Sequence, residues 1–567
     1  MKIDWFVLLL FCSLAGFGQK GYYAAPVKIP LNLSANFGEL RDNHFHSGID
    51  IKTNKSIGIP VNSVAEGYIS RIAVSPVGFG KALYINHPNG TTTVYGHLNR
   101  FRDDIEEYIK NIQYNKKSFI VDVQLKDNEF IVVQNEIIAY SGNSGSSGGP
   151  HLHFEIRDTK TEEPLNPLKF NFKIQDQTSP KIFSTLIIPL DKTSHVNYSH
   201  SKKSIPVVFY DGEYHLKGNP VIPVYGNIGF AVQANDYFDN SYNKCGIYSM
   251  KLKIDGKLFC SFQMDKFSFA ETRYINSLID FEKYRNSGRR YIRAWKEPGN
   301  ELQIYDHIRE NGICKFNDEN THQIRFELTD AYGNSSFLSF NVRSIYKKIE
   351  AKEESYTKMF VYDQDNYFHE SEIKLDISKG SLYNNVGFNY AKTYWDKDFF
   401  SNVHFIGNSN VPLHKSARLS IKANNLPEDF QKKALLVKVD TITGKFYSAG
   451  GNFEKGWINS SIREFGNYAV VVDTIPPNIK PLSIINQSEL IESDRIRFQI
   501  SDKLSGIEKT ECLIDGKWAL FEYDAKNNLI THYFDATRFE LNRQHELILS
   551  VTDYKGNSTI YEATFRK

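Results

Sequence analysis

The 567-residue sequence has little cysteine, little excess charge of either sign and almost no long apolar run. Five cysteines in a chain of this length exclude a disulfide-stapled scaffold, and no two have the Cys-x-x-Cys spacing of a metal knuckle. Lysine plus arginine (68) nearly balances aspartate plus glutamate (66), leaving a formal charge of +2. Neither nucleic acid nor an anionic membrane surface is therefore expected as the main partner. Beyond the first residues no segment is apolar enough to span a bilayer, so no transmembrane segment is expected in the mature chain. A His-Glu-x-x-His helix is also missing, which removes the commonest helical zinc-protease signature.

The single apolar run, Trp5–Phe17, follows Lys2 and precedes Gly18. At 13 residues it is too short to cross a membrane as a helix and reads as a secretory signal over residues 1–18, with a buried N-terminal helix as the other reading. Cys12 would suit lipidation only behind a small residue, and Phe11 stands there. The mature chain is expected to be exported, to the periplasm, the cell envelope or the extracellular space. It would retain Cys245, Cys260, Cys314 and Cys512. The first three can supply one disulfide in an oxidising compartment, and buried free thiols fit equally well.

What the sequence does have is aromatic residues, 14% of the total with 40 Phe and 33 Tyr, a composition that leans towards β structure. The length suggests three to five domains. Residues 19–175 read as short strands and turns, with strands at Gly67–Ala73, Ala82–His87 and Thr92–Tyr95 and a hairpin turn at Asn89-Gly90. Phe101, Ile105, Tyr108, Ile109 and Ile112 recur at helical spacing, which predicts a helix within 101–116 whose charges form a solvated face. A Pro-containing linker at Asp176–Pro180 returns as Asp473–Pro477, and each linker opens one copy of an internal repeat. Gly246-Ile247 leading to Ile254-Asp255-Gly256-Lys257 matches Gly506-Ile507 leading to Ile514-Asp515-Gly516-Lys517. Thr329-Asp330 before Gly333-Asn334-Ser335 matches Thr552-Asp553 before Gly556-Asn557-Ser558. The two repeats, 180–345 and 474–567, resemble immunoglobulin-like modules of bacterial surface proteins, and 350–470 is a further β-rich unit between them.

Three motifs in the first domain offer metal-ligand side chains: His46-Ser47-Gly48-Ile49-Asp50, Tyr95-Gly96-His97-Leu98, and Pro150-His151-Leu152-His153-Phe154-Glu155. On a strand, residues i and i+2 share a face about 6–7 Å apart, so His151 and His153 project together while Leu152 and Phe154 face the core. His46 and Asp50 would be about 13 Å apart on an extended strand and reach one ion only if the chain bends, which Gly48 permits. Two histidines and one aspartate leave a fourth position open on tetrahedral zinc, the arrangement of catalytic sites. The glycine-rich Ser141–Pro150 stretch reads as a shaped loop admitting a peptide. His44 and His87 read as surface or core residues.

Together these motifs, with His87-Pro88-Asn89-Gly90 and Ser141-Gly142, resemble the M23 (lysostaphin/LytM-type) zinc endopeptidases that cut peptidoglycan peptides, over roughly residues 35–170. The resemblance implies one Zn2+ per chain on His46, Asp50 and His153, with His97 and His151 as catalytic groups that polarise water or stabilise the oxyanion. It implies a mainly β fold, a small antiparallel β-sheet peptidase domain followed here by three β-sandwich-like domains. Residues 101–132 are an insertion relative to the family, expected to wall the groove and narrow substrate choice. The expected function is hydrolysis of peptidoglycan cross-links, with stem peptides as substrate and an envelope protein or wall polymer held by the C-terminal β domains. The alternative is a non-catalytic envelope protein whose M23-like domain binds wall peptides or activates an amidase.

Overall fold

The computed structural model describes residues 21–239, 241–350, 355–395 and 399–567. The expected signal peptide at 1–18 and Cys12 lie outside these residues. The N-terminal part is an 11-stranded sheet in which every pairing is antiparallel. The strands that position the site are β1 (Leu33–Ala35), β2 (Ile49–Lys52), β3 (Gly67–Val74), β4 (Lys81–Asn86), β5 (Thr91–Phe101), β6 (Val121–Gln124), β7 (Ile137–Ser141) and β8 (His151–Asp158). Their order is β1-β2-β8-β5-β4-β3-β6, so β8 is flanked by β2 and β5. One face carries the core: Ile49, Ile51, Ile69, Leu83, Ile85, Tyr95, Leu152, Phe154 and Ile156 form a single buried cluster.

The expected helix is α1 (Asp103–Lys116), whose Ile105 and Ile109 are buried. Asp103, Asp104, Glu107 and Lys116 are exposed, as the charge pattern implied, but part of this face is docked on a distant domain. Lys110 pairs with Asp535 at 3.1 Å, Glu107 pairs with Arg538 at 2.8 Å, and Tyr114 meets Trp518 edge-on. The insertion therefore carries the last domain of the chain, and a local charge pattern cannot distinguish a wet face from one paired with a distant domain.

Three further β units complete the chain. The first is a 12-stranded sheet that includes β9 (Lys181–Pro189), β10 (Ile222–Asn235), β11 (Ser249–Ile254), β12 (Thr321–Thr329) and β13 (Ser335–Ser344). Next come two five-stranded sheets closed over a shared core that includes Leu375, Leu419, Leu436 and Val470. The last unit packs a four-stranded sheet containing β14 (Arg495–Ser501) on a five-stranded sheet containing β15 (Ile507–Ile514), β16 (Gln544–Asp553) and β17 (Ser558–Arg566). The sequence repeat is a structural one: Thr329 pairs with Ser335 across the β12–β13 hairpin, and Thr552 pairs with Ser558 across β16–β17. Cys245, Cys260, Cys314 and Cys512 are all buried free thiols. No helix among the described residues is long and apolar enough to cross a membrane.

Candidate metal centre

Register brings the three motifs together. Within β8, His153 lies opposite Asp50 of β2 on one side and Gly96 of β5 on the other. Leu152 and Phe154 enter the core, so His151 and His153 stand on the opposite face. His46 precedes β2, and the chain turns so that its Nε2 lies 3.0 Å from Asp50 Oδ1. Gly48 makes this possible differently from the expectation. Its φ is not positive; instead, a Cβ there would lie 2.2 Å from the Phe154 carbonyl oxygen, so the glycine permits close approach of β8.

His97 arrives by a device with no sequence pattern. Tyr95 faces the core, and in a regular strand His97, two residues on, would too. Between β4 and β5 the register shifts, with Leu83 opposite Tyr95 but Lys81 opposite Leu98. The bulge places His97 at φ +58°, a left-handed conformation uncommon for a side-chain-bearing residue, and turns its ring to the site face. The His97 amide donates to the Phe79 carbonyl at 2.8 Å. Its ring centroid is 4.8 Å from that of His151 and 5.8 Å from that of His153.

Hydrogen bonds fix which nitrogen of each ring is available. His46 Nδ1–H donates to the Asn36 carbonyl at 2.8 Å, and His153 Nε2–H donates to Glu155 at 2.9 Å. His46 Nε2, His153 Nδ1 and Asp50 Oδ1 then converge, separated by 3.0, 3.1 and 2.9 Å. With both rings neutral, two imidazole lone pairs and a carboxylate oxygen aimed at one point have no donor to share, so either a proton or a cation must enter, which is the chemistry of a cation site. Tetrahedral zinc at its usual bond lengths holds ligand atoms about 3.3–3.5 Å apart, so the set fits zinc with a few tenths of an ångström of opening. These three residues, the ones the family resemblance implies, are placed so that they could hold a metal ion. His151 and His97 sit beside it with Nδ1–H donating to the Gly149 and Ser144 carbonyls at 2.8 and 2.9 Å, which leaves each Nε2 lone pair available.

Electrostatics arise from burial and neighbours. Burial, then the adjacent His153 and His151, push His97 down to about 3, so its ring is neutral at working pH. Burial lowers His46 as well, against the pull of Asp50. Burial favours neutral Asp50, but His46, His151 and His153 around it hold its carboxyl well below the usual range. Burial opposes charge on His153, yet the Asp50 and Glu155 carboxylates lift it to about 9, a proton occupying the place a metal cation would take.

Two neighbours had no role in the sequence reading. Glu155 is wholly buried; it accepts from His153, from Ser47 Oγ, and from Arg157 through Nε at 2.6 Å and a terminal nitrogen at 2.5 Å. Burial works against its charge, but Arg157 and His153 bring it down to about 2. The signal was present: His151, His153, Glu155 and Arg157 recur at period two along one face of an otherwise apolar strand. Arg41 has no such pattern; it donates to Asp50 Oδ2 at 2.7 Å. His44 is exposed, and His87 is a buried structural residue bonded to the Glu66 carbonyl and Thr93 Oγ1.

The loop from Gly142 to Pro150 that orients His97 and His151 is braced from the far end of the chain. Lys526 Nζ donates to the carbonyls of Asn143 and Gly145, on either side of Ser144. Nearby, buried Lys81 pairs with Glu522 at 2.9 Å.

Comparison with known proteins agrees with this geometry. Residues 44–114 match the model of Peptidase family M23, and residues 357–473 match that of the Zu5-like domain, which composition alone could not separate from other β units. A DD-carboxypeptidase/endopeptidase Mpg of Neisseria meningitidis is 30% identical over 155 residues, 26% of this chain and 29% of the relative. An uncharacterized metalloprotease of Haemophilus influenzae is 29% identical over 143 residues, 24% of this chain and 25% of the relative. The chain thus spans under a third of the length of these curated relatives. Among solved structures, the catalytic domain of the prophage-encoded M23 protein EnpA from Enterococcus faecalis is 23% identical, covering 26% of this chain and 96% of that one, at a TM-score of 0.20. The matched segment carries His46, Asp50 and His97, and the geometry adds His151 and His153, so the N-terminal domain is similar to Peptidase family M23, with further β domains following it.

Proposed function

We propose that the chain is an exported zinc metalloendopeptidase that hydrolyses peptide cross-links of bacterial peptidoglycan. The observation that carries this is the convergence of His46 Nε2, Asp50 Oδ1 and His153 Nδ1, with His97 and His151 beside them. His46, Asp50 and His153 would hold the metal. Zinc there supplies Lewis acidity to a water and to the scissile carbonyl. The chain's own residues do the rest. The free Nε2 of His151, 3.4 Å from Asp50 Oδ1, is placed to accept a proton and return it to the leaving amine. His97, neutral and fixed by the Ser144 carbonyl, presents its Nε2 lone pair as an acceptor for a proton of the attacking water. Glu155 holds His153 in the tautomer that directs Nδ1 inward. Export is supported by the N-terminal apolar run, and a peptide substrate of this class by the Neisseria relative, named a DD-carboxypeptidase/endopeptidase.

The test is release of soluble peptides from purified peptidoglycan, with zinc quantified in the same samples, for the wild type, His153→Ala and His151→Ala. The expected result is about one zinc per wild-type chain and released cross-link fragments, with both variants inactive but only His153→Ala losing metal. Bound zinc without hydrolysis would overturn the enzymatic reading in favour of a wall-binding or amidase-activating role.

A further inference from the structure

A second cluster of ligand-type side chains lies outside the peptidase site. Asp176 is in the linker before β9, Asp236 directly follows β10, and Asp330 directly follows β12. One carboxylate oxygen from each lies within 4.8 Å of the other two. Asp236 and Asp330 are 1% and 2% exposed. Two oxygens, Asp176 Oδ2 and Asp236 Oδ1, are buried with no hydrogen-bond partner. Asp330 is better served: Oδ1 accepts from the Tyr332 and Asn334 amides at 2.8 and 2.9 Å, and Oδ2 accepts from the Asn334 side chain at 2.6 Å.

Three carboxylates packed out of water with no cation among them cannot all ionise without a large penalty. Burial, then the nearby Asp330, push Asp176 up to about 7 and Asp236 up to about 8. Either protons or a cation must occupy the cluster. We propose that Asp176, Asp236 and Asp330 form a calcium site that fastens the linker after the peptidase domain onto the following β domain. The donors are all oxygen, which selects a hard cation over zinc. Calcium–oxygen bonds of about 2.3–2.6 Å put oxygens on opposite sides of the ion about 5 Å apart, so the cluster has the right span.

The repeat provides an internal contrast. Asp473, Asp502 and Asp553 occupy the matching places in the last domain, again within 4.8 Å, and Asn557 bonds the Asp473 carbonyl as Asn334 bonds that of Asp176. Where the first cluster has Tyr332, the second has buried Lys555, whose charge Asp473 and Asp553 favour against burial. The Asp473 and Asp502 oxygens also find amide donors, from Ser505 and from Leu504 and Gly506. A lysine thus stands near the second cluster, its Nζ donating to the Gly451 carbonyl, whereas among the described residues no lysine or arginine pairs with the first.

The location gives the ion a purpose. Asp236 forms a backbone bridge with Cys245, and Cys245, Phe238 and Ala331 pack into the core of the peptidase domain itself. An ion at this corner would stiffen the seat on which the peptidase domain rests.

The test uses the full chain, loaded with zinc and stripped of calcium, titrated with CaCl2 by calorimetry and thermal unfolding. We expect one equivalent of calcium bound, and at a hundredfold excess over Kd a rise of about 5–10 °C in the transition of the first β domain. Asp236→Asn should abolish both while raising the calcium-free transition at neutral pH, because the amide is neutral without having to take up a proton on folding. Asp502→Asn should leave calcium binding intact. No binding at millimolar calcium would overturn the proposal, leaving a proton-sharing acid cluster, and binding that survives Asp236→Asn would equally overturn it. Neither result depends on peptidase activity.

Discussion

Replacing Glu155 by glutamine tests how the metal-binding strand is supported. The side chain keeps its shape but loses the charge that faces His153 and Arg157. Two effects separate. Arg157, 6% exposed, is left as an unpaired buried guanidinium, and breaking a buried pair by removing one partner costs about 3–5 kcal/mol. Independently, His153 loses the carboxylate that fixes its tautomer and raises its basicity, which lowers metal affinity about 10–100-fold, or roughly 1.4–2.8 kcal/mol. Zinc affinity would be measured by competition with a chromogenic chelator, and stability by urea unfolding of the metal-free protein. Glu155→Gln should lose on both counts. The double variant Glu155→Gln/Arg157→Met removes the stranded cation and sets an apolar side chain beside Tyr84 and Phe269, over whose rings the guanidinium lies, so it should recover much of the stability and none of the zinc affinity. If both variants bind zinc within about twofold of wild type, Glu155 serves Arg157 alone and the argument for His153 fails.

Gly48→Ala should destabilise the first domain by about 1–3 kcal/mol and weaken zinc binding, since the added methyl meets the Phe154 carbonyl rather than a side chain able to move; urea unfolding and zinc content check this. Lys526→Met should retain zinc but lower kcat by about ten- to a hundredfold, because the loop that aims His97 and His151 loses its brace; unchanged kcat would refute the link. The calcium-free protein should lose stability as pH rises from about 4 to about 8. Folded Asp176 and Asp236 hold protons up to about 7 and 8, facing Asp330, Asp239, Cys245 and Tyr332, whereas the unfolded chain releases them near 4. Asp236→Asn should flatten that fall, as read from urea midpoints at pH 5 and pH 8. The acid limb of peptidase activity should be insensitive to His97, already neutral down to about pH 3; a profile moved by a neutral replacement there would contradict this.

Much of this was legible in the sequence, for identifiable reasons. Period-two alternation in His151–Arg157 and turn residues such as Asn89-Gly90 are local signals, and local signals sufficed for the β class, the helix at 103–116 and the repeat. His46, Asp50 and His153 are grouped by the family resemblance of their motifs and not by spacing, and register across β2 and β8 explains their meeting. Three features had no local signature. The bulge that turns His97 depends on pairing with β4, the need for Gly48 depends on the approach of β8, and the docking of α1 depends on partners such as Asp535, 425 residues beyond Lys110. Each is a tertiary constraint acting on residues that look ordinary in one dimension.

The brace on the catalytic loop also has a consequence for when the protein matures. Lys81 and Glu522 are 441 residues apart, and Lys526 reaches back 381 residues to Gly145. Contacts of such span form late, because the chain loses its closure entropy before any of them is made. Domains fold in order of emergence, so the metal ligands between His46 and His153 assemble while the loop they share still lacks its support. Under the proposed function, metal uptake should therefore precede full competence, with activity rising only once the final residues have folded back onto the first domain.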